Sequence, residues 1–230
     1  DIEPGIELPT GAVWTPSLWV IGETRTAIQS YDAGPGAPIQ EWANRIDVFT
    51  NVTFTPTERL LLGLSTVNKE GAFSGYTFQD ARGRRGGWNN ETNANITTLF
   101  FEGEFGEIFP RLDPSDKHNF DVGFTVGRQP LFFQEGIMLN DTVDVVSVTT
   151  DNNMIRGLTS DSRATMLYGW NNIHRSDNRR DRGANLVGVF TETDFRSNTL
   201  DVDFAYVVSN STDSFVTNPS GDLALLGVGS

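Results

Sequence analysis

Residues 44–66, NRIDVFTNVTFTPTERLLLGLST, alternate with a period of two. Ile46, Val48, Thr50, Val52 and Phe54 fall on one side of an extended chain, and Arg45, Asp47, Phe49, Asn51 and Thr53 on the other. That period marks a β-strand with one apolar and one wetter face. Thr55-Pro56-Thr57-Glu58 supplies a polar turn in which the fixed φ of proline helps and its missing N–H costs nothing. The chain returns with Leu60, Leu62 and Leu64 on one face and Arg59, Gly63 and Ser65 on the other. Each arm is about ten residues long, against the roughly five or six usual in soluble proteins and the nine to eleven of a membrane-crossing strand. Two all-β architectures suit such a hairpin: an antiparallel sheet with one solvated face, or a barrel with lipid outside and water inside.

The alternation recurs along the chain. In residues 17–30, Leu18, Val20, Thr24, Thr26 and Ile28 oppose Glu23, Arg25 and Gln29. In residues 95–105, Thr97, Leu99, Phe101 and Phe105 oppose Thr98, Phe100, Glu102 and Glu104. Further on, Met166, Tyr168 and Trp170 oppose Arg163 and Thr165, and Val202, Phe204 and Tyr206 oppose Asp201, Asp203 and Ala205. The links at 55–58 and 194–198 are short; those at 31–43, 68–92, 172–185 and after 209 are long. A barrel with short turns at one rim and long loops at the other has this rhythm. About nine strands are counted, and single-chain bacterial barrels use even numbers. The expectation is therefore one domain over 1–230, an antiparallel up-and-down transmembrane β-barrel present as the incomplete portion of a larger one of about 16–18 strands. Residues 1–15 are read as a lead-in, and 209–230 as a loop or the start of the next strand.

Composition narrows the function classes. A net charge of −13 disfavours nucleic acid as a partner. Cysteine is absent, which removes disulfides and thiol chemistry. No apolar run approaches the roughly twenty residues of a membrane helix, and the chain opens at Asp1 as a processed or trimmed product would. Asp113, Asp116 and Asn119 offer oxygen ligands for calcium, without EF-hand spacing. Arg82, Arg84 and Arg85 form either a polyanion patch or a solvated loop. The histidines, His118 and His174, sit in loops with no catalytic motif around them. Glu102 and Glu104 lie about 7 Å apart by strand rise, a spacing within reach of an inverting glycosidase, but two lumen-facing wall carboxylates are the commoner explanation. No enzyme and no cofactor are expected.

The segment GRQPLFFQEG at 127–136, followed by LNDTVDVVSVT, resembles a strand and loop of alginate-export-like outer-membrane barrels, and the 44–64 hairpin resembles their early strands. The resemblance implies a porin with a polar, arginine-bearing lumen. Carried over by position, Arg128, Gln129 and Glu135 would then stand at or near its constriction. The alternation itself allows a bulge at Gly127 that swings Arg128 and Glu135 inward, with a turn at Asn140-Asp141, or an Arg128 that pairs with a neighbouring carboxylate and only fixes the wall. Glu23, Asp47, Glu102, Glu104, Asp201 and Asp203 would line the lumen beside Arg25 and Arg45, a mixed or acidic lining that departs from the family and argues against an alginate-like substrate. The expected role is passive passage of small solutes or polysaccharide across a bacterial outer membrane. Lipid and lipopolysaccharide would surround the barrel, with other envelope proteins as assembly partners. The alternatives are a structural barrel sheathing or anchoring a larger assembly, and a soluble all-β carbohydrate-binding domain.

Overall fold

The structure, a computed structural model, describes residues 5–32, 34–69, 72–112, 122–151, 161–174, 180–209 and 221–229. Eleven strands of seven residues or more are found among them: β1 Ser17–Tyr31, β2 Ile39–Thr53, β3 Arg59–Ser65, β4 Ala72–Gln79, β5 Asn95–Glu104, β6 Val122–Phe133, β7 Leu139–Thr150, β8 Asp161–Trp170, β9 Ala184–Asp194, β10 Thr199–Ser209 and β11 Leu223–Gly229. A one-turn helix, α1, spans Phe105–Ile108. The chain divides into two compact units, one of Leu18–Asn51 and Leu61–Thr97, the other of Asp1–Ser17, Val52–Leu60 and Thr98–Ser230.

In the smaller unit, β2 is the hub, with β1, β3 and β4 all paired to it. β4 lies inside the 68–92 stretch that reads as a loop. Its signal in the sequence is weak because Gly75 interrupts the run of Phe73, Tyr76 and Phe78. The glycine is structural: a Cβ there would stand 2.8 Å from the carbonyl carbon of Trp42 and 3.3 Å from Cα of Ala43, so only glycine lets the two backbones approach. Tyr76 meets Phe78 and Trp88 edge-on at ring-centroid distances of 5.2 and 5.3 Å, an arrangement favoured by the ring quadrupoles.

In the larger unit, β5 to β11 are antiparallel neighbours in chain order. Strict alternation gives the sheet two faces. One carries the core, with Leu131, Val143, Val145, Leu167, Leu186, Phe190 and Ala205 buried together. The other exposes Val146, Val148, Met166, Tyr168, Val202, Phe204, Leu226 and Val228. Pro130 sits in β6 beyond Arg128, the last residue paired to β5. There the strand has a neighbour on one side alone, the setting in which a sheet tolerates proline.

Among the described residues the expected barrel does not close. β11 pairs with β10 alone, and β1 with β2 alone, so the sheets end in free edges among the described residues. A membrane-spanning barrel satisfies its backbone by closing on itself, and these sheets are open. The all-β class stands; the transmembrane barrel of 16–18 strands does not. With it fall the porin assignment, passive passage through a lumen, the outer-membrane location, and the lipid, lipopolysaccharide, polysaccharide and envelope partners drawn from it.

Two local expectations change as well. β6 and β7 keep an unbroken register from Val122↔Thr150 to Phe133↔Leu139, so no bulge occurs at Gly127. The chain reverses at Gln134–Gly136, not at Asn140-Asp141, which lie within β7.

Candidate binding cleft

Three residues singled out in the sequence, Glu135, Asp201 and Asp203, converge on one cleft of the larger unit. It holds about 600 Å³ and is also lined by Phe132, Phe133, Gln134, Arg163, Thr165, Phe190, Thr191, Glu192 and Gly229. The register of three strand pairs builds its floor. Arg163 stands opposite Glu192, Glu192 opposite Asp201, and Asp201 opposite Gly229. The next row on the same face is Thr165, Phe190, Asp203 and Gly227. The row after that is apolar, Leu167, Gly188, Ala205 and Leu225. Along the strands, the face thus passes from charged to mixed to greasy.

Asp203 is 5% exposed. Its Oδ1 accepts the Thr191 backbone N–H at 3.1 Å and its Oδ2 accepts the Gln134 side-chain amide at 2.7 Å. A carboxylate this buried needs such donors. Phe133 and Phe190 stack with centroids 3.5 Å apart at 15° and give the floor a flat apolar step. Phe132 is 60% exposed and offers an open ring at the rim. Arg163 is the lining cation, and its Nε donates to Asp151 at 2.6 Å.

The other residues marked in the sequence lie elsewhere. In the smaller unit, Arg25 donates to Glu23 at 2.6 Å on an exposed strand. Arg45 Nε donates to Asp47 Oδ2 at 2.6 Å, while Ser65 donates to Asp47 Oδ1 at 2.8 Å. Burial pushes the Asp47 carboxyl up, but the Arg45 and Ser65 hydrogen bonds and the nearby arginine charges outweigh it and leave the pKa lowered. In the larger unit, Glu102 pairs with Arg59, so the Glu102–Glu104 couple is not a free carboxylate pair. Arg128 pairs across the sheet with Asp144. Asp144 shares the face of the exposed Val146 and Val148, opposite the buried Val143 and Val145. Gln129 takes the other face, donating to Thr125 at 3.0 Å. Asp113, Asp116, Asn119 and His118 lie outside the described residues. Among the described residues no three His, Asp or Glu side chains are placed to hold a metal.

No family model matches the chain, and no curated protein matches it. The resemblance to alginate-export-like barrels, carried by GRQPLFFQEG, therefore has no support from sequence comparison, and the open sheets remove its structural basis.

Sequence reasoning missed Phe132, Phe133, Gln134, Arg163 and Glu192 as parts of one site. Their meeting depends on which strands are neighbours and in what register. The one legible hint was parity, since Arg163, Thr165, Asp201 and Asp203 each sat on the polar side of an alternating strand.

Proposed function

We propose that the larger unit is a binding module for a small polyhydroxylated ligand, of the class of a mono- or short oligosaccharide. The observation that carries this is the cleft's lining, three phenylalanines beside the carboxylates of Glu135, Glu192, Asp201 and Asp203. A sugar ring presents an apolar C–H face and a belt of hydroxyls. An accessible aromatic ring covers the first, and carboxylates accept hydrogen bonds from the second. The volume suits it, since ligand clefts run from roughly 300 to 1,000 Å³. Phosphate and carboxylate ligands are disfavoured by four acidic linings against one arginine, itself engaged by Asp151.

The test is an NMR titration of the purified chain with a panel of neutral mono- to tetrasaccharides. Binding in the range of about 1 mM or tighter, with shifts centred on residues 132–135, 190–192 and 201–203, is expected. Phe132→Ala and Glu192→Gln should each weaken it at least about fivefold. A panel that leaves those resonances in place refutes the assignment.

A further inference from the structure

The turn that joins β6 to β7 is held in an unusual backbone conformation. Gln134, Glu135 and Gly136 have φ of 51°, 54° and 77°. The first two are not glycine, and such residues stay left-handed only where their surroundings hold them. Two contacts do so here. The Gln134 amide donates to Asp203 at 2.7 Å, joining residues 69 positions apart. The same side chain lies in a slot over β11 where two residues lack a Cβ. A Cβ at Gly227 would stand 2.8 Å from Gln134 Cγ, and one at Gly229 would stand 2.9 Å from Gln134 Oε1. Gly227 and Gly229 are two apart on one strand and so face the same way.

We infer that Gln134–Gly136 is a strap across the cleft, latched by Gln134 in the Gly227/Gly229 slot and by its bond to Asp203. The inference rests on reading the cleft as a ligand site. The latch closes over the end of the cleft floor that holds Asp203, Gly227 and Gly229. Its bond competes with any ligand hydroxyl that would donate to Asp203 Oδ2. Breaking that bond leaves the glycine slot as the remaining side-chain hold on the left-handed turn, so the strap swings away as the ligand enters. One hydrogen bond and one slot thus couple entry to the backbone conformation of three residues.

The chain has no cysteine, so Thr165→Cys places a single thiol on the floor of the same cleft, in the row of Asp203. The labelling rate of that thiol by a bulky fluorescein maleimide, against small N-ethylmaleimide, reports how open the strap is. Gln134→Ala removes the latch and Gly227→Ala blocks its slot. Each should raise the bulky reagent's rate about tenfold relative to the small one's, as a shift in the closed-to-open ratio requires. If both variants keep native circular dichroism and label at the parent rate, the strap is refuted. Hydrogen exchange on the unsubstituted protein gives a second readout that needs no variant. Amides 134–137 should exchange at least about tenfold faster than those of Val143 and Val145, and equal protection overturns the inference. Neither readout involves a sugar. If the saccharide panel fails while the labelling changes appear, the ligand class is wrong and the strap remains.

Discussion

Arg128 stands directly across from Asp144, its Nε 2.7 Å from Oδ1 and its Nη2 3.1 Å from Oδ2. This is a two-pronged pair, the geometry a guanidinium and a carboxylate share best. Asn171 adds a third donor to the same carboxylate at 2.6 Å. The side chains are 25% and 16% exposed, so solvent screens them only in part. Asp144→Ala should therefore cost about 2–3 kcal/mol, read as a fall in the urea midpoint at unchanged slope. The Arg128 hydrogen bond, with the smaller help of Asn171 and the arginine charge, holds the Asp144 carboxyl below the usual range. A depressed folded pKa gives stability that is present above the unfolded value and lost as pH falls through the folded one. The gap between wild type and Asp144→Ala should thus narrow as the pH drops below about 4.

Glu58 behaves in the opposite sense. It is fully buried in the turn between β2 and β3, with Thr55 and Thr57 as hydroxyl donors. Burial raises its pKa, and the charge of Glu107 adds to this against the Thr57 hydrogen bond. A raised folded pKa gives stability that is complete at acid pH and lost as pH rises through the folded value. Glu58→Gln should accordingly raise the melting temperature at pH 8 and change it little at pH 4. A variant less stable than wild type at pH 8 would show that the ionised form is the one the turn favours.

Gly127 carries a φ of 129°, and a Cβ there would come within 2.8 Å of Cα of Phe100, with the Leu99 carbonyl closer still. Gly127→Ala combines backbone strain with a clash against the next strand. It should cost at least about 2 kcal/mol, measured by denaturant unfolding. Gly87, which has open space around it, is the control, and Gly87→Ala should move stability by no more than about 0.5 kcal/mol.

Glu192 and Asp201 face each other across β9 and β10. Two like charges directly opposed in a sheet are destabilising by about 0.2–1 kcal/mol. Replacing both with their amides should raise stability by that amount while weakening saccharide binding. Calorimetric melting and the NMR titration, run on one preparation, separate the two effects.

The two faces of the larger sheet should respond differently to truncation. Leu186 is 1% exposed, and Leu186→Ala should cost about 2–5 kcal/mol. Phe204 is 46% exposed on the opposite face, and Phe204→Ser should cost less than about 1 kcal/mol. Comparable losses would mean that the exposed face is covered in solution.

Strand existence was legible because the period of two is a local property. Val202, Phe204 and Asp203 in β10 show it as plainly in the sequence as in the structure. Closure was not legible. Whether a last strand finds a first depends on twist and register summed over the whole sheet, and no residue of β11 encodes that by itself. The strand length in β2 pointed to a membrane, yet a 15-residue strand is also what a hub pairing with three neighbours requires. The sequence allows Arg128 to pair with a neighbouring carboxylate but does not say which one. The partner, Asp144, lies 16 residues away and became visible only with the β6–β7 register. The cleft was half legible: the polarity of Asp201 and Asp203 could be read, but the Phe133–Phe190 stack between them and the turn could not.

β11, with the sequence LALLGVG, carries no charge of its own and has a single neighbour among the described residues. A rim of that kind will zip onto any other extended segment that reaches it in register, including the same rim of a second molecule. The chain's −13 charge opposes such pairing between like molecules. That repulsion acts through bulk water and is cut to a reach of about 10 Å in 0.1 M salt. Salt therefore weakens the one general force in this chain that opposes such edge-to-edge pairing.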